Sequence, residues 1–202
     1  MIAVIDYGAG NLQSVKNALD RIGAESVVTS DADVIASASH VILPGVGAFG
    51  DAMHALEASG LVPAVKQAAE TKPFLGICLG MQLLFESSEE SPGVRGLGLL
   101  KGQICRIPSG SGLKVPHIGW NSIRLHQNGG IFAGTKDDSY FYFVHSYYLC
   151  GAAPDVVAAT THYGVEIECA VQCGRLAATQ FHPEKSSAPG LAVLKNFVGE
   201  GN

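Results

Sequence analysis

Three short segments carry residue types that could perform nucleophilic catalysis. The first is Phe74-Leu75-Gly76-Ile77-Cys78-Leu79-Gly80-Met81-Gln82. An apolar run meets a helical pattern there, with a cysteine at the junction and a glycine two residues to each side. This is the strand–turn–helix layout of a nucleophile elbow with cysteine as the nucleophile. So sharp a turn lifts the side chain clear of a sheet and needs neighbours without Cβ. A helix beginning behind the cysteine favours the thiolate, and the Leu79 amide can donate to a developing oxyanion. A buried cysteine at a tight turn would show the same local pattern, so the segment alone leaves both readings open.

The second segment is Gln180-Phe181-His182-Pro183-Glu184. In an extended stretch, residues two apart point to the same side, and Pro183 holds the preceding residue extended. His182 can then face Cys78 as general base while Glu184 orients the imidazole, in the order nucleophile, base, orienter. Taken alone, His-Pro-Glu is more often a surface turn. The third is Leu43-Pro44-Gly45-Val46-Gly47, a glycine-rich strand end whose backbone N–H near Val46 could complete an oxyanion site. An ordinary turn before a helix would look alike.

The surrounding pattern supplies elements able to position these groups. Strands are expected at Ile2–Ile5, Ser26–Thr29, 40–43 and 74–77. Helices are expected at 11–22, 51–58, 61–70 and 79–87 from apolar residues at helical spacing. Strands separated by helices imply a parallel sheet covered on both faces. After residue 100 the pattern changes to alternating or β-branched runs at 104–107, 122–125, 139–144, 156–161 and 167–171, read as antiparallel or mixed strands extending that sheet. A core strand at 177–181 and a closing helix at 191–197 finish the chain. The expectation is one α/β domain over residues 1–202: a three-layer fold with a central, mostly parallel sheet, an antiparallel extension and helices on both faces. The best linker candidate, 108–112, is short enough to be a loop.

Composition narrows the function classes. Of 202 residues, 47% are hydrophobic and 15% charged, which is the balance of a well-buried globular protein. Net charge is −5 and no run of Lys or Arg occurs, which argues against a nucleic-acid surface. No apolar stretch is long enough to span a bilayer, and Asp6 interrupts the apolar start, so no membrane partner is expected. Cys78, Cys105, Cys150, Cys169 and Cys173 form no C-x-x-C pair. They read as reduced core or strand cysteines of a cytoplasmic protein, without a metal site.

Together the three segments resemble the class I, or triad, glutamine amidotransferases, and the resemblance covers essentially the whole chain. It implies hydrolysis of glutamine to glutamate and ammonia through a γ-glutamyl thioester on Cys78, with His182 and Glu184 completing the triad and the Val46 and Leu79 amides forming the oxyanion site. Gly47, Gln82, Ser146 and Tyr147 would hold the glutamine. Neither a metal nor an organic cofactor is required. Within the family, Asp6-Tyr7-Gly8-Ala9-Gly10-Asn11-Leu12, Pro116-His117-Ile118-Gly119-Trp120-Asn121, Val144-His145-Ser146-Tyr147-Tyr148 and Pro183-Glu184-Lys185-Ser186 resemble the branch serving histidine biosynthesis. That branch implies a separate (β/α)8-barrel cyclase/synthase subunit in a heterodimer, with Asn11, Trp120 and Lys185 as contact candidates. The alternatives are the branches of pyridoxal phosphate, anthranilate or guanylate synthesis, or a non-catalytic module that kept the fold.

Several other residues have plainer readings. The glycine-rich 6–11 segment lacks the phosphate-cradle pattern. His145 is expected to satisfy a buried polar contact. His40, His54, His117, His126 and His162 are scattered without ligand spacing, and Glu86, Glu89 and Glu90 read as a solvated helix end.

Overall fold

The computed structural model describes residues 1–110 and 113–199. The last two residues of the 108–112 loop candidate, and positions 200–202, lie outside them. In chain order the elements are β1 (Ile2–Ile5), α1 (Leu12–Arg21), β2 (Ser26–Thr29), α2 (Ala32–Ser37), β3 (His40–Gly45), α3 (Phe49–Ala58), α4 (Val62–Thr71), β4 (Phe74–Cys78) and α5 (Leu79–Gln82). There follow β5 (Ser87–Ser88), β6 (Gln103–Arg106), β7 (His117–Ser122), β8 (Arg124–Leu125), β9 (Tyr140–His145), β10 (Tyr147–Cys150), β11 (Val157–Tyr163), β12 (Val165–Cys173), β13 (Leu176–Thr179) and α6 (Ser187–Gly199).

The main sheet runs β2-β1-β3-β4-β13-β12-β10-β6-β5, with β11 and β8 branching from β12. Its centre, β2 through β13, is parallel, and the extension beyond β13 is largely antiparallel. Strand alternation feeds two cores, one on each face. Ala3 and Ile5 of β1 join Leu43, Ile35 and the apolar faces of α3 and α4 on one side. Ile2 and Val4 join Ile42, Ile77 and the faces of α1 and α6 on the other. Both layers of helices are therefore held by side chains worth about 1.5–3 kcal/mol each when fully buried.

Four expectations need correction. The helix expected over 79–87 ends at Gln82. Leu83, Leu84 and Phe85 are fully buried, and their carbonyls accept from Leu97, Leu99 and Gly98 instead of from a following helical turn. The segment was apolar because it threads the core, not because it continued the helix. The strand expected at 139–144 does not extend the main sheet; β9 pairs antiparallel with β7 in a separate two-stranded sheet. The chain crosses from that sheet to the main one at Ser146, whose carbonyl accepts from the Ile107 amide at 2.9 Å.

The cysteines are not all reduced, since Cys105 and Cys150 form a disulfide. The β10–β6 register sets Cys150 opposite Gln103 and Cys105 opposite Tyr148, which brings the two Cα atoms to 6.1 Å, within bridging range. Finally, Glu86, Glu89 and Glu90 do not end a helix. Their carboxylates accept from the backbone amides of Gly102, Arg106 and Phe49, so they tie this segment to β6 and to the start of α3.

Candidate active site

Cys78 stands where β4 meets α5, with φ 54° and ψ −110°, a backbone region costly for any side chain. The surrounding packing enforces it. A Cβ on Gly80 would lie 1.9 Å from the Leu43 carbonyl oxygen, and one on Gly76 would lie 3.0 Å from the Gly80 carbonyl oxygen. Glycine at both places lets β3, β4 and α5 close on each other and force the turn. The elbow read from the sequence is present. Because α5 has only four residues, the strained turn and the neighbouring side chains, rather than a long helix, define the environment of the sulfur.

Those neighbours come from the far end of β13. His182 is 2% exposed, and its Nδ1 donates to Glu184 Oε1 at 2.8 Å. The Glu184 side chain is 1% exposed. Ser186 ties the turn down, donating to the His182 carbonyl at 2.6 Å and accepting from the Tyr142 amide at 2.9 Å. His182 Nε2 is buried without a hydrogen-bond partner, and the Cys78 sulfur is near enough to act on the ring. Burial alone would lower this imidazole; the Cys78 sulfur and Glu184 carboxylate on its two sides outweigh that and push it up to about 10. A proton taken from the thiol is thus held on His182, between two anions, where it is available for return to a leaving group.

A cavity of about 340 Å³ opens over the pair. It is lined by Cys78, Leu79, Gln82, His182, Val46, Gly47, Ser146 and Tyr147, so every residue singled out for the triad, oxyanion and substrate roles except buried Glu184 faces it. Val46 and Gly47 are exposed at the mouth, and Gly47 has φ +98°, a conformation suited to glycine. Tyr7 donates its hydroxyl to the Pro44 carbonyl at 3.0 Å, fixing the strand just before them. Burial, and then the nearby sulfur, raise that phenol well above its usual range, so it remains a donor.

Two lining groups escaped sequence reasoning. Glu90 reaches the cavity while capping α3 at the Phe49 amide, 2.8 Å away. Nothing in its local sequence separates it from Glu86 and Glu89. His145 lies between the cavity and His117, and the two rings share a hydrogen bond of 3.0 Å from His117 Nδ1 to His145 Nε2. Sequence reading expected a buried polar contact for His145 but not its partner, because the pairing depends on the β7–β9 register, which sets His117 opposite His145. His117 is also stacked between Phe143 and Tyr163. Burial lowers His117 to about 4 and His145 to about 3.

Both imidazoles are therefore neutral in the folded chain and titrate near 6.5 when unfolded. Their contribution is complete above that pH and declines as pH falls from about 6.5 toward 4, by about 1.4 kcal/mol per pH unit for each ring. The urea midpoint should drop between pH 7 and pH 5, and His145→Gln should flatten that dependence. A midpoint unchanged over this interval would count against a neutral buried pair.

The three contact candidates are each linked to the 182–186 segment. Asn11 precedes α1, which packs on the 183–185 turn. Lys185 is exposed on that turn. Trp120 is 50% exposed on β7 and packs edge-on against Tyr142, the residue whose amide is held by Ser186. Among the described residues no group of three or more His, Cys, Asp or Glu could hold a metal, and no helix is long and apolar enough to cross a membrane.

Comparison with known proteins agrees with this geometry. Residues 3–200 match the glutamine amidotransferase class-I family. The chain is 54% identical over 197 residues to imidazole glycerol phosphate synthase subunit HisH of Moorella thermoacetica, covering 97% of this chain and 93% of that protein. It is 52% identical to the subunit of the same name from Methanothermobacter thermautotrophicus, covering 98% of each. Among solved structures it superposes on a glutamine amidotransferase with TM-score 0.77 and 18% identity, covering 100% of this chain and 99% of the other. The structure of PurLQS from Thermotoga maritima gives TM-score 0.73 at 20% identity, with 98% and 97% covered. A cysteine held in a strained elbow, facing a buried histidine–glutamate pair, on a chain matched from end to end in this way, has one family to which it fits: the chain belongs to the class I glutamine amidotransferases.

Proposed function

We propose that this chain is the glutaminase subunit of imidazole glycerol phosphate synthase, a single-domain cytoplasmic protein working in a heterodimer with a (β/α)8-barrel cyclase/synthase subunit. The observation that carries the chemistry is Cys78 set against the buried His182–Glu184 pair at the floor of the cavity. Glutamine enters with its side-chain amide at the sulfur. His182 Nε2 takes the thiol proton, and the thiolate attacks the amide carbon. The Val46 and Leu79 amides support the oxyanion. Collapse breaks the C–N bond, and His182 returns its proton to the departing ammonia. Water, deprotonated by His182, then cleaves the thioester and releases glutamate. The ammonia passes to the partner.

Gln82, Ser146, Tyr147 and Gly47 hold the backbone end of glutamine, and Glu90 supplies a negative charge in the same cavity for its ammonium group. Gln82 has both N–H groups engaged, with the Tyr147 carbonyl at 3.1 Å and Gln180 Oε1 at 2.9 Å, so its oxygen is what it offers to a ligand. Losing one such buried contact costs about 1–3 kcal/mol. Gln82→Ala should therefore raise KM for glutamine roughly five- to hundredfold; an unchanged KM would remove Gln82 from the substrate pocket.

The branch assignment rests on the two relatives of more than 50% identity and on the exposed Trp120 side of the molecule. Its test is co-purification of the native protein with identification of what accompanies it, followed by a synthase assay with glutamine as the only nitrogen source. Glutamine-dependent product from a different synthase, and none from the barrel subunit, would move the chain to another branch of the family.

A further inference from the structure

A chain of buried polar groups runs from β7 to the catalytic sulfur, and its direction can be derived. The Tyr147 carbonyl can only accept. It receives His145 Nδ1 at 2.9 Å and Gln82 Nε2 at 3.1 Å. His145 therefore carries its proton on Nδ1, and its bare Nε2 accepts from His117 Nδ1. Gln82, obliged to present nitrogen to the carbonyl, gives its second N–H to Gln180 Oε1 at 2.9 Å. Gln180 must then turn its own nitrogen the other way, and Gln180 Nε2 lies 3.6 Å from Cys78 Sγ. The two faces of an amide are alike in shape, and the network decides which is which. Here an acceptor-only backbone oxygen decides it for both glutamines.

Gln180 is fully exposed to none of the solvent, at 0%, and its backbone amide is anchored to the Cys169 carbonyl at 2.8 Å. It sits two residues before His182, so both side chains approach the sulfur from the same segment. We propose that Gln180 is a catalytic residue of the glutaminase reaction, its side-chain N–H stabilising negative charge on Cys78 Sγ, with Gln82 and the Tyr147 carbonyl as the positioning groups that aim it. The proposal rests on Cys78 as the nucleophile. The same N–H acts at two points. It supports the thiolate before attack, and it hydrogen-bonds the sulfur again as the electron pair of the breaking thioester C–S bond returns to Sγ. No proton moves to or from Gln180 in either step; His182 alone carries protons.

The other titratable groups around the sulfur are His182 with Glu184 behind it, Tyr7 just after β1, and His145, Tyr147 and Glu90 lining the same cavity. None of them substitutes for a neutral donor at the Gln180 position.

The test is Gln180→Met, which keeps length and volume and removes the N–H. Alkylation of Cys78 by iodoacetamide, followed by mass spectrometry, reads thiolate availability without any substrate. At about pH 6.5 the variant should react roughly tenfold more slowly than the wild type, with the difference vanishing toward alkaline pH, where any thiol ionises. Glutaminase kcat should fall by a similar factor while KM stays within about twofold. A Gln180→Met variant alkylated at the wild-type rate at about pH 6.5, or a deficit equal at every pH, would overturn the proposal.

Should the variant fold poorly, nitrogen NMR of the wild-type chain decides the matter. His145 is expected to be protonated on Nδ1 and bare on Nε2 from pH 5 to 8, and the Gln180 side-chain amide signals should move when Cys78 is alkylated. Protonation of His145 on Nε2, or Gln180 signals indifferent to the thiol, would show that no N–H is aimed at the sulfur. Loss of glutamine hydrolysis in Cys78→Ser with labelling at another cysteine would instead remove the nucleophile on which the proposal rests.

Discussion

Cys78→Ala should abolish glutamine hydrolysis, with a loss of about 10⁴-fold or more, since a triad acts as a unit and its nucleophile has no substitute. A glutamine-like electrophile should label the protein once, at Cys78. The other cysteines are poorly placed to compete. Cys105 and Cys150 are tied to each other, and Cys169 is fully buried with its thiol raised well above its usual range by burial. Cys173 is exposed but has no histidine arranged like His182. His182→Ala should be nearly as severe as loss of the nucleophile. Glu184→Ala should be milder by one to two orders of magnitude, because it orients and stabilises a base that remains present. Stoichiometric labelling at any other cysteine, with Cys78 unmodified, would overturn the assignment of the triad.

The isolated chain should hydrolyse glutamine at least about 100-fold more slowly than the complex with its synthase partner and that partner's ligand. One missing oxyanion donor is worth about 10²–10³ in kcat, and the donor most easily switched is the Val46 amide. Val46 and Gly47 are exposed at the cavity mouth, whereas the Leu79 amide belongs to the buried elbow. Rotation of the peptide between Gly45 and Gly47 would bring the donor in or out, and the Tyr7–Pro44 hydrogen bond is the tie that holds the preceding residue in place. Docking against Asn11, Trp120 and Lys185 would bias that rotation, with Lys185 able to pair with an acid on the partner. Tyr7→Phe should then raise the rate of the isolated chain and shrink the activation ratio. The measurement is glutamate release with and without the partner and its nucleotide-like ligand; an isolated chain running at the rate of the complex would end both the switch and the need for a partner.

Much of the fold was legible because the sequence periods were unambiguous. Ile2–Ile5 and Ser26–Thr29 are bounded as expected, and the apolar run into Cys78 could only be a core strand meeting a turn. That Cys78, His182 and Glu184 come together was legible for the same reason, since their placement depends on local geometry: two glycines around Cys78, one proline between His182 and Glu184. What was missed depends on partners distant in sequence. The helix over 79–87 was overextended because burial from all sides and helical amphipathicity both leave apolar residues at i and i+4. Helix α2 is six residues long and is held at its start by Asp31 accepting from Asp33 and Val34 amides, too short to show a period. Strand β7 contains Gly119 at φ +138°, and His117, Gly119 and Asn121 interrupt the strand-favouring Ile118 and Trp120, so the run shows no clean strand pattern. The Glu90–Phe49 contact joins a loop to a distant helix, and the His117–His145 pair and the Cys105–Cys150 bridge are made by register between separated strands, which no local spacing encodes.

Strand β7 keeps two sets of obligations on opposite faces. His117 and Asn121 point inward, where Asn121 Nδ2 approaches His117 Nε2 at 3.5 Å and donates to the His162 carbonyl at 3.0 Å. Ile118 and Trp120 point outward and are 59% and 50% exposed. Because side chains alternate along a strand, the outward positions can drift with a binding partner while the inward ones stay fixed by the chemistry next to them. Should the outward face meet the proposed partner, a lineage could change whom it delivers ammonia to by rewriting alternate letters of one six-residue word, leaving the hydrolytic centre in working order throughout.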